Sequence, residues 1–297
     1  MTFQLGRCDT CGIGLVLDPR TDFANLYGPE YYAGKGADPW IDYVADEAPG
    51  SIREIEWRGI VRTVADVVRR RRPDSRAWNL LDWGAGLGGL VRTARQLGIE
   101  ADGLDEGYAA TVLAAKGLLA RPIPELRERY DVVTAIEVVE HLTDPLPVLR
   151  AMASCLKPGG FLFITTGNLA KAPTSLDRWQ YARIPDVHVT FWSPRAWAGA
   201  LGRIGLDSVP LPIARVDSRI VQYKVMKALP RYRRRLAATL PMWRPAARFV
   251  DFSHGVSGFP IGVRPMAMQA KPMDAAAEVE LVGSPSISLR ETREADV

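Results

Sequence analysis

Apolar positions along this chain follow two alternating rhythms, short continuous runs and longer stripes that repeat every three or four residues. The runs Asn79 to Trp83, Ala101 to Leu104, Val132 to Ile136 and Phe161 to Thr166 show little polar alternation. They read as strands covered on both faces. Between them, Leu90, Val91, Ala94 and Leu97 share one side of a helix that stops near Gly98. Leu146, Leu149, Met152 and Leu156 form a second stripe, which Lys157, Pro158, Gly159 and Gly160 break. An amphipathic helix from about Ile52 ends in Arg69 to Arg72, where cations favour the negative end of the helix dipole. Strand, helix and strand in this order predict βαβ crossovers in a parallel sheet, whose ligands bind beyond the carboxyl ends of the strands. Glu137 to His141 and Thr165 to Asn168 both fall at that end. Leu206 to Val216 and Pro265 to Lys271 read as the closing antiparallel strands.

Composition narrows this picture. A chain of 297 residues with 47% hydrophobic content can bury a full core, as one large domain with additions. There is no N-terminal apolar leader pattern and no run of about 18 apolar residues, so the expectation is a soluble cytoplasmic protein. Three cysteines cannot build a disulfide framework. Cys8 and Cys11 make one CxxC, half of a structural zinc site or a plain turn, and Cys155 reads as core. The net charge of +4 is uneven, because Arg215 to Arg248 carries ten Lys or Arg against the single acid Asp217. That stretch is either a solvated helical face or a surface for phosphate, nucleic acid or an anionic membrane. Residues 273–297 are acidic and poor in aromatics, and read as a disordered tail.

The first strand runs directly into Gly84, Ala85, Gly86, Leu87, Gly88 and Gly89. Glycines suit a sharp strand-to-helix turn whose backbone approaches a ligand too closely for a Cβ. Asp105 and Glu106 end the second strand, where an acid can accept both hydroxyls of a ribose. Gly84, Gly86 and Gly89 also satisfy the GxGxxG of a dinucleotide fold. Asp82 argues the other way, since a carboxylate before the glycines would repel a pyrophosphate yet suits a ligand with an ammonium group.

LLDWGAGLGG, GLDEG, YDVVTAIEVVEHLTDP and LKPGGFLFITTGN, in this order and spacing, closely resemble the successive motifs of class I S-adenosylmethionine-dependent methyltransferases. The similarity covers about residues 75–210, and LYGPEYYAGKG before it resembles the lid of bacterial small-molecule and sugar methyltransferases. Many of those carry a complete zinc-binding N-terminus, of which this chain keeps only Cys8 and Cys11. The resemblance implies an α/β fold with a doubly wound Rossmann-like sheet, mostly parallel with a final antiparallel strand. Residues 1–50 would form a lid with half of a CxxC knuckle. Residues 51–272 would be the methyltransferase domain with a basic helical insertion at about 216–260. For S-adenosylmethionine it implies Asp82, Gly84, Ala85, Gly86 and Gly88 at the methionine part, Asp105 and Glu106 at the nucleoside, and Ile136 and Glu137 beside the sulfur.

Glu137, Glu140 and His141 place three candidate cation ligands within one short segment, and two of the chain's three histidines are His141 and His188. Together the four resemble the two-glutamate, two-histidine magnesium site of small-RNA terminal 2′-O-methyltransferases, and a related arrangement in ubiquinone-pathway O-methyltransferases. Such a site implies Mg2+ or another divalent cation that lowers the pKa of an acceptor hydroxyl. Without a metal, His141 or His188 is the candidate general base, or the acid and imidazole simply cap a turn. Tyr31, Tyr32 and Tyr43 are candidates to cover the cofactor. Arg178, Trp179, Gln180, Tyr181 and Arg183 lie where this fold recognises its acceptor.

The leading expectation is O-methylation of a sugar, catechol or secondary-metabolite hydroxyl. The basic stretch fits a phosphorylated, nucleotide-linked or lipid-linked acceptor, with peripheral membrane contact. An RNA-end 2′-O-methyltransferase stands against the lack of a separate RNA-binding module. An NAD-dependent oxidoreductase and an inactive binding protein of the same fold complete the alternatives.

Overall fold

The computed structural model describes residues 3–19, 26–36, 42–73, 77–172, 176, 179–209, 261–263 and 287–288. The hairpin β1 (Gln4–Arg7) and β2 (Gly14–Val16) opens the chain, followed by the short helices α1 (Pro29–Tyr32) and α2 (Tyr43–Asp46). Helix α3 (Ile52–Arg71) starts at Ser51, whose side chain accepts from the Glu54 amide, and ends in three arginines as its dipole favours. Then come β3 (Asn79–Trp83), α4 (Gly89–Gln96), β4 (Glu100–Leu104), α5 (Gly107–Ala115) and β5 (Tyr130–Ile136). They are followed by α6 (Pro145–Cys155), β6 (Leu156–Thr165), β7 (Thr190–Phe191), α7 (Pro194–Arg203) and β8 (Asp207–Val209). The strands β9 (Ile261–Val263) and β10 (Ile287–Ser288) come last.

The main sheet has the order β4-β3-β5-β6-β9-β8. Its first four strands are parallel, and β9 runs antiparallel to both β6 and β8. This is the doubly wound Rossmann-like sheet with one reversed strand. Neighbouring residues of each central strand feed opposite faces. Leu80, Val132, Phe161 and Phe163 pack with Val61, Val64, Val67 and Val68 of α3 and with Leu90, Val91 and Ala94 of α4. Leu81, Val133, Leu162 and Ile164 pack with Leu149, Met152 and Cys155 of α6 and Trp197 and Leu201 of α7. At the amino end of the sheet the buried Asp131 pairs with Arg72 and with Lys157 Nζ at 2.7 Å.

Two expectations change. Lys157 to Gly160 end the helix, yet they do not form a loop. The strand begins at Leu156 and takes up the extra residues as a bulge between the pairs Tyr130↔Leu156 and Val132↔Phe161. Of the expected closing strands, β8 at Asp207–Val209 falls within the first, while β9 at Ile261–Val263 precedes the second, and residues 210–216 lie outside the described residues. Residues 265–271, the basic stretch and most of the acidic tail lie outside the described residues. The first fifty residues do more than cover a ligand. β1 and β2 join β7 and β10 in a second sheet of order β10-β1-β2-β7. Cys8 and Cys11 sit in the hairpin turn, where the Gly12 amide bonds the Cys8 carbonyl at 2.7 Å. Among the described residues, no helix is long and apolar enough to cross a membrane.

Candidate active site

The carboxyl ends of β3, β4, β5 and β6 open onto one rim. After β3 the chain turns through Gly84 at φ 72, and a Cβ there would come within 2.5 Å of Val138 Cγ2. Only glycine meets both demands. The Gly84 amide bonds the Leu104 carbonyl at 2.8 Å, and the Gly86 amide donates to Asp105 Oδ2 at 2.7 Å. Asp105 Oδ1 accepts from the Glu106 amide at 2.8 Å, so this acid fastens the glycine turn to the next strand. Burial raises its pKa. Asp82 is 4% exposed and accepts from Thr134 Oγ1 at 2.7 Å. Burial, with Asp105 adding to it, pushes Asp82 up to about 7. A buried acid held this close to neutrality is primed for a cationic group.

The turn is closed from two sides. Trp57 of α3 lies on Gly89, where a Cβ would be 1.9 Å from the indole, a contact the sequence pattern does not reveal. Opposite it, Tyr31, Tyr32, Leu87 and Ala109 form a buried cluster with Tyr27, Tyr43 and Tyr108 against them. Tyr32 is the nearest group to Gly86, 3.9 Å from a Cβ built there.

The second half of the rim follows β5. Glu137 is one of two described non-glycine residues with positive φ, at 56. Such conformations persist where surrounding bonds hold them. Here the Glu137 amide bonds the Thr165 carbonyl at 2.9 Å, and its carboxylate accepts from Thr165 Oγ1 at 3.0 Å and from the Tyr181 hydroxyl. One 3-10 turn later, Glu140 points inward at 1% exposure. Neither of its carboxylate oxygens has a hydrogen-bond partner among the described residues. Burial, then the nearby Glu137, drives its pKa well above the usual range.

Glu140, His141 and His188 each offer a ligand atom within 4.8 Å of the other two. His141 Nδ1 lies 3.1 Å from the Val187 carbonyl and 3.2 Å from the Tyr27 hydroxyl, and His188 Nδ1 lies 3.0 Å from the Tyr181 carbonyl. A carbonyl only accepts, so each Nδ1 carries the proton and each Nε2 the lone pair. Burial, then the neighbouring His188, lowers the His141 pKa to about 3. Three of the four expected cation ligands thus come together. Glu137 differs, because the positive-φ turn ties its carboxylate to Thr165 and Tyr181 instead. Tyr27 was not singled out by the sequence pattern. Arg178 lies outside the described residues, and the Gln180 and Arg183 side chains are not described.

The parallel sheet, the glycine turn fastened to the acid that follows β4 and the polar rim after β5 are the frame of a class I S-adenosylmethionine-dependent methyltransferase. A family model described as "Methyltransferase domain" matches residues 53–211, more than half of the chain, and the chain belongs to that family. The ubiquinone biosynthesis O-methyltransferase of Proteus mirabilis strain HI4320 is 36% identical over 105 residues, covering 31% of this chain and 43% of that enzyme. Its counterpart from Marinobacter nauticus is 42% identical over 105 residues, 30% of this chain and 43% of the relative. The chain thus matches less than half the length of these relatives. A SAM-dependent methyltransferase from Archaeoglobus fulgidus aligns at 19% identity and TM-score 0.40, covering 74% of this chain and 98% of that one. The mitomycin 7-O-methyltransferase aligns at 19% and 0.43, with 60% and 56% covered.

Proposed function

We propose that this chain moves the methyl group of S-adenosylmethionine to oxygen, onto a hydroxyl of a sugar, catechol or secondary-metabolite intermediate. In the same proposal Glu140, His141 and His188 hold a divalent cation beside that hydroxyl. The observation carrying the cation is Glu140: a buried carboxylate with neither oxygen bonded, facing two imidazoles whose Nδ1 atoms are anchored on backbone carbonyls. Left without a partner, such a carboxyl holds its proton, and a bound cation would release it. Ligating imidazoles characteristically have their other nitrogen fixed in this way. A pKa of about 3 also makes His141 a poor proton acceptor and a ready ligand, since protons do not compete for its lone pair. His141 therefore serves better as a ligand than as the base the sequence also allowed.

When bound, S-adenosylmethionine supplies an electrophilic methyl, and a divalent cation lowers the pKa of the hydroxyl that attacks it. The remaining work falls to the chain. Asp82 meets the ammonium group, while Gly84, Ala85, Gly86 and Gly88 present backbone to the methionine part. Asp105 and Glu106 hold the nucleoside, and Ile136 and Glu137 border the reactive end. The tyrosines of residues 27–43 exclude water from above. His188 is the residue left to receive the acceptor's proton if the cation is absent. Similarity to the two ubiquinone-pathway O-methyltransferases supports oxygen as the methylated atom.

Calorimetry with S-adenosylmethionine, then methyl transfer to catechol with and without a chelator, tests both halves. Binding of S-adenosylmethionine is expected, as is turnover that vanishes on chelation, returns with Mg2+ and leaves cofactor affinity within about twofold. Failure to bind S-adenosylmethionine would overturn the whole reading. Turnover that survives chelation would remove the cation alone.

A further inference from the structure

Tyr181 stands at the rim of the proposed site, with its hydroxyl on Glu137 and its ring against His188. Its ring lies against Gly167, just past the end of β6, and a Cβ built on that glycine would come within 2.6 Å of Tyr181 Cγ and 2.7 Å of both Cδ atoms. The ring also meets the His188 imidazole, with centroids 5.1 Å apart and planes at 30°, and the Trp179 indole at 5.4 Å and 39°. Its hydroxyl donates to Glu137 Oε2, and its own carbonyl holds His188 Nδ1 at 3.0 Å. A flat hydroxyl-bearing ring is thus seated against a glycine shelf, an imidazole and an indole. Its oxygen rests on the carboxylate that neighbours Glu140.

A wall residue could pack there without its hydroxyl bonded to Glu137, the strained residue at the mouth of the site. A saturated ring in the same slot would gain no stacking on His188 and would be too thick for a shelf set by a missing Cβ. Building on the O-methylation proposed above, we infer that Tyr181 is a gate that imitates the acceptor, and that the seat it vacates takes an aromatic hydroxyl, a phenol or catechol. Rotation of the Tyr181 side chain then precedes acceptor binding. The acceptor's hydroxyl replaces the tyrosine's on Glu137. Apparent acceptor affinity is reduced by the fraction of molecules with the gate open.

The test titrates catechol into the full chain saturated with S-adenosylhomocysteine, for wild type, Tyr181→Ala and Tyr181→Phe. With an open state populated at about a tenth or less, Tyr181→Ala binds catechol at least about tenfold more tightly. Tyr181→Phe keeps the ring but releases Glu137, and falls between the two. cis-1,2-Cyclohexanediol, the saturated counterpart, gains less than about twofold in either variant. Unchanged or weaker catechol binding by Tyr181→Phe, with S-adenosylhomocysteine affinity intact, makes Tyr181 a wall and overturns the gate. Equal gains for cyclohexanediol overturn the aromatic class. Tyr181→Phe alone decides if Tyr181→Ala loses the cofactor, and loss of S-adenosylhomocysteine binding by wild type itself falls on the proposed function instead.

Discussion

Replacing Asp82 by asparagine isolates the energetic cost of keeping a carboxylate inside the sheet. Asp82 is 4% exposed, and burial raises its pKa from 3.8 to about 7. The folded chain therefore keeps this proton up to about pH 7, whereas the unfolded chain releases it near pH 4. Between those limits the folded state binds more protons, so stability falls as pH rises through the window and levels off above it. One pKa unit is worth about 1.4 kcal/mol, and integration from about pH 5 to about pH 8 spans roughly two units. The loss is ~2–3 kcal/mol. Asparagine matches the shape of aspartate and can still accept from Thr134 Oγ1, but it does not titrate. Urea unfolding followed by circular dichroism at several pH values gives both stability curves. Their difference should shrink by that amount toward high pH, leaving Asp82→Asn the more stable at about pH 8. Parallel curves would refute the reasoning, since groups present in both proteins, such as Glu140, cancel.

Three further predictions follow from other contacts. Gly89→Ala places a Cβ 1.9 to 2.3 Å from three Trp57 ring atoms and should cost about 1–3 kcal/mol by thermal unfolding, partly recovered by Trp57→Ala in the double variant. Glu140→Gln removes a buried carboxyl whose ionisation burial disfavours, so the melting temperature of the metal-free protein should rise at neutral pH while calorimetric Mn2+ binding disappears; a lower melting temperature with binding retained would contradict the assignment. Asp131→Ala strands Arg72 and Lys157, whose side chains are 22% and 39% exposed. Discounted for that exposure, the loss is about 2 kcal/mol, with S-adenosylmethionine affinity unchanged because the pair lies at the opposite end of the sheet.

What could be read from the chain was what short-range pattern encodes. Val132 to Ile136 announces a two-sided buried strand because both of its neighbours are buried, and Gly84 to Gly89 announces a turn because their torsions are needed locally. The pairs β1–β2 and β2–β7 leave almost no such trace. β2 and β7 are three and two residues long, too short for any period to show. Glu137 lies near Glu140, but their spacing along the chain says nothing of the left-handed backbone at Glu137 or of its bonds to Thr165 and Tyr181. Tyr27 reaches His141 over a separation of 114 residues that no local rule foreshadows, whereas Tyr181, 44 residues from Glu137, lies in the loop that the resemblance marked for the acceptor. Lys157 to Gly160 carried a true stop signal, but what it stopped was the helix alone.

The small second sheet gives the site a position in time. Val16 bonds the Val189 carbonyl, and Val189 in turn bonds the Glu140 carbonyl, so β2 braces the segment carrying His188. Gly14 pairs with Phe191, and Leu5 with Ile287. The four parallel strands in the order β4-β3-β5-β6 all fall within residues 79–165, but this brace must close some of the longest loops among the described residues, and long closures come late in folding. A chain emerging from synthesis would assemble its glycine turn first and hold its earliest strands idle until their partners arrive. The half of the rim that follows β5 would therefore be the last part to mature, and its opening should cost less than unfolding the sheet beneath it.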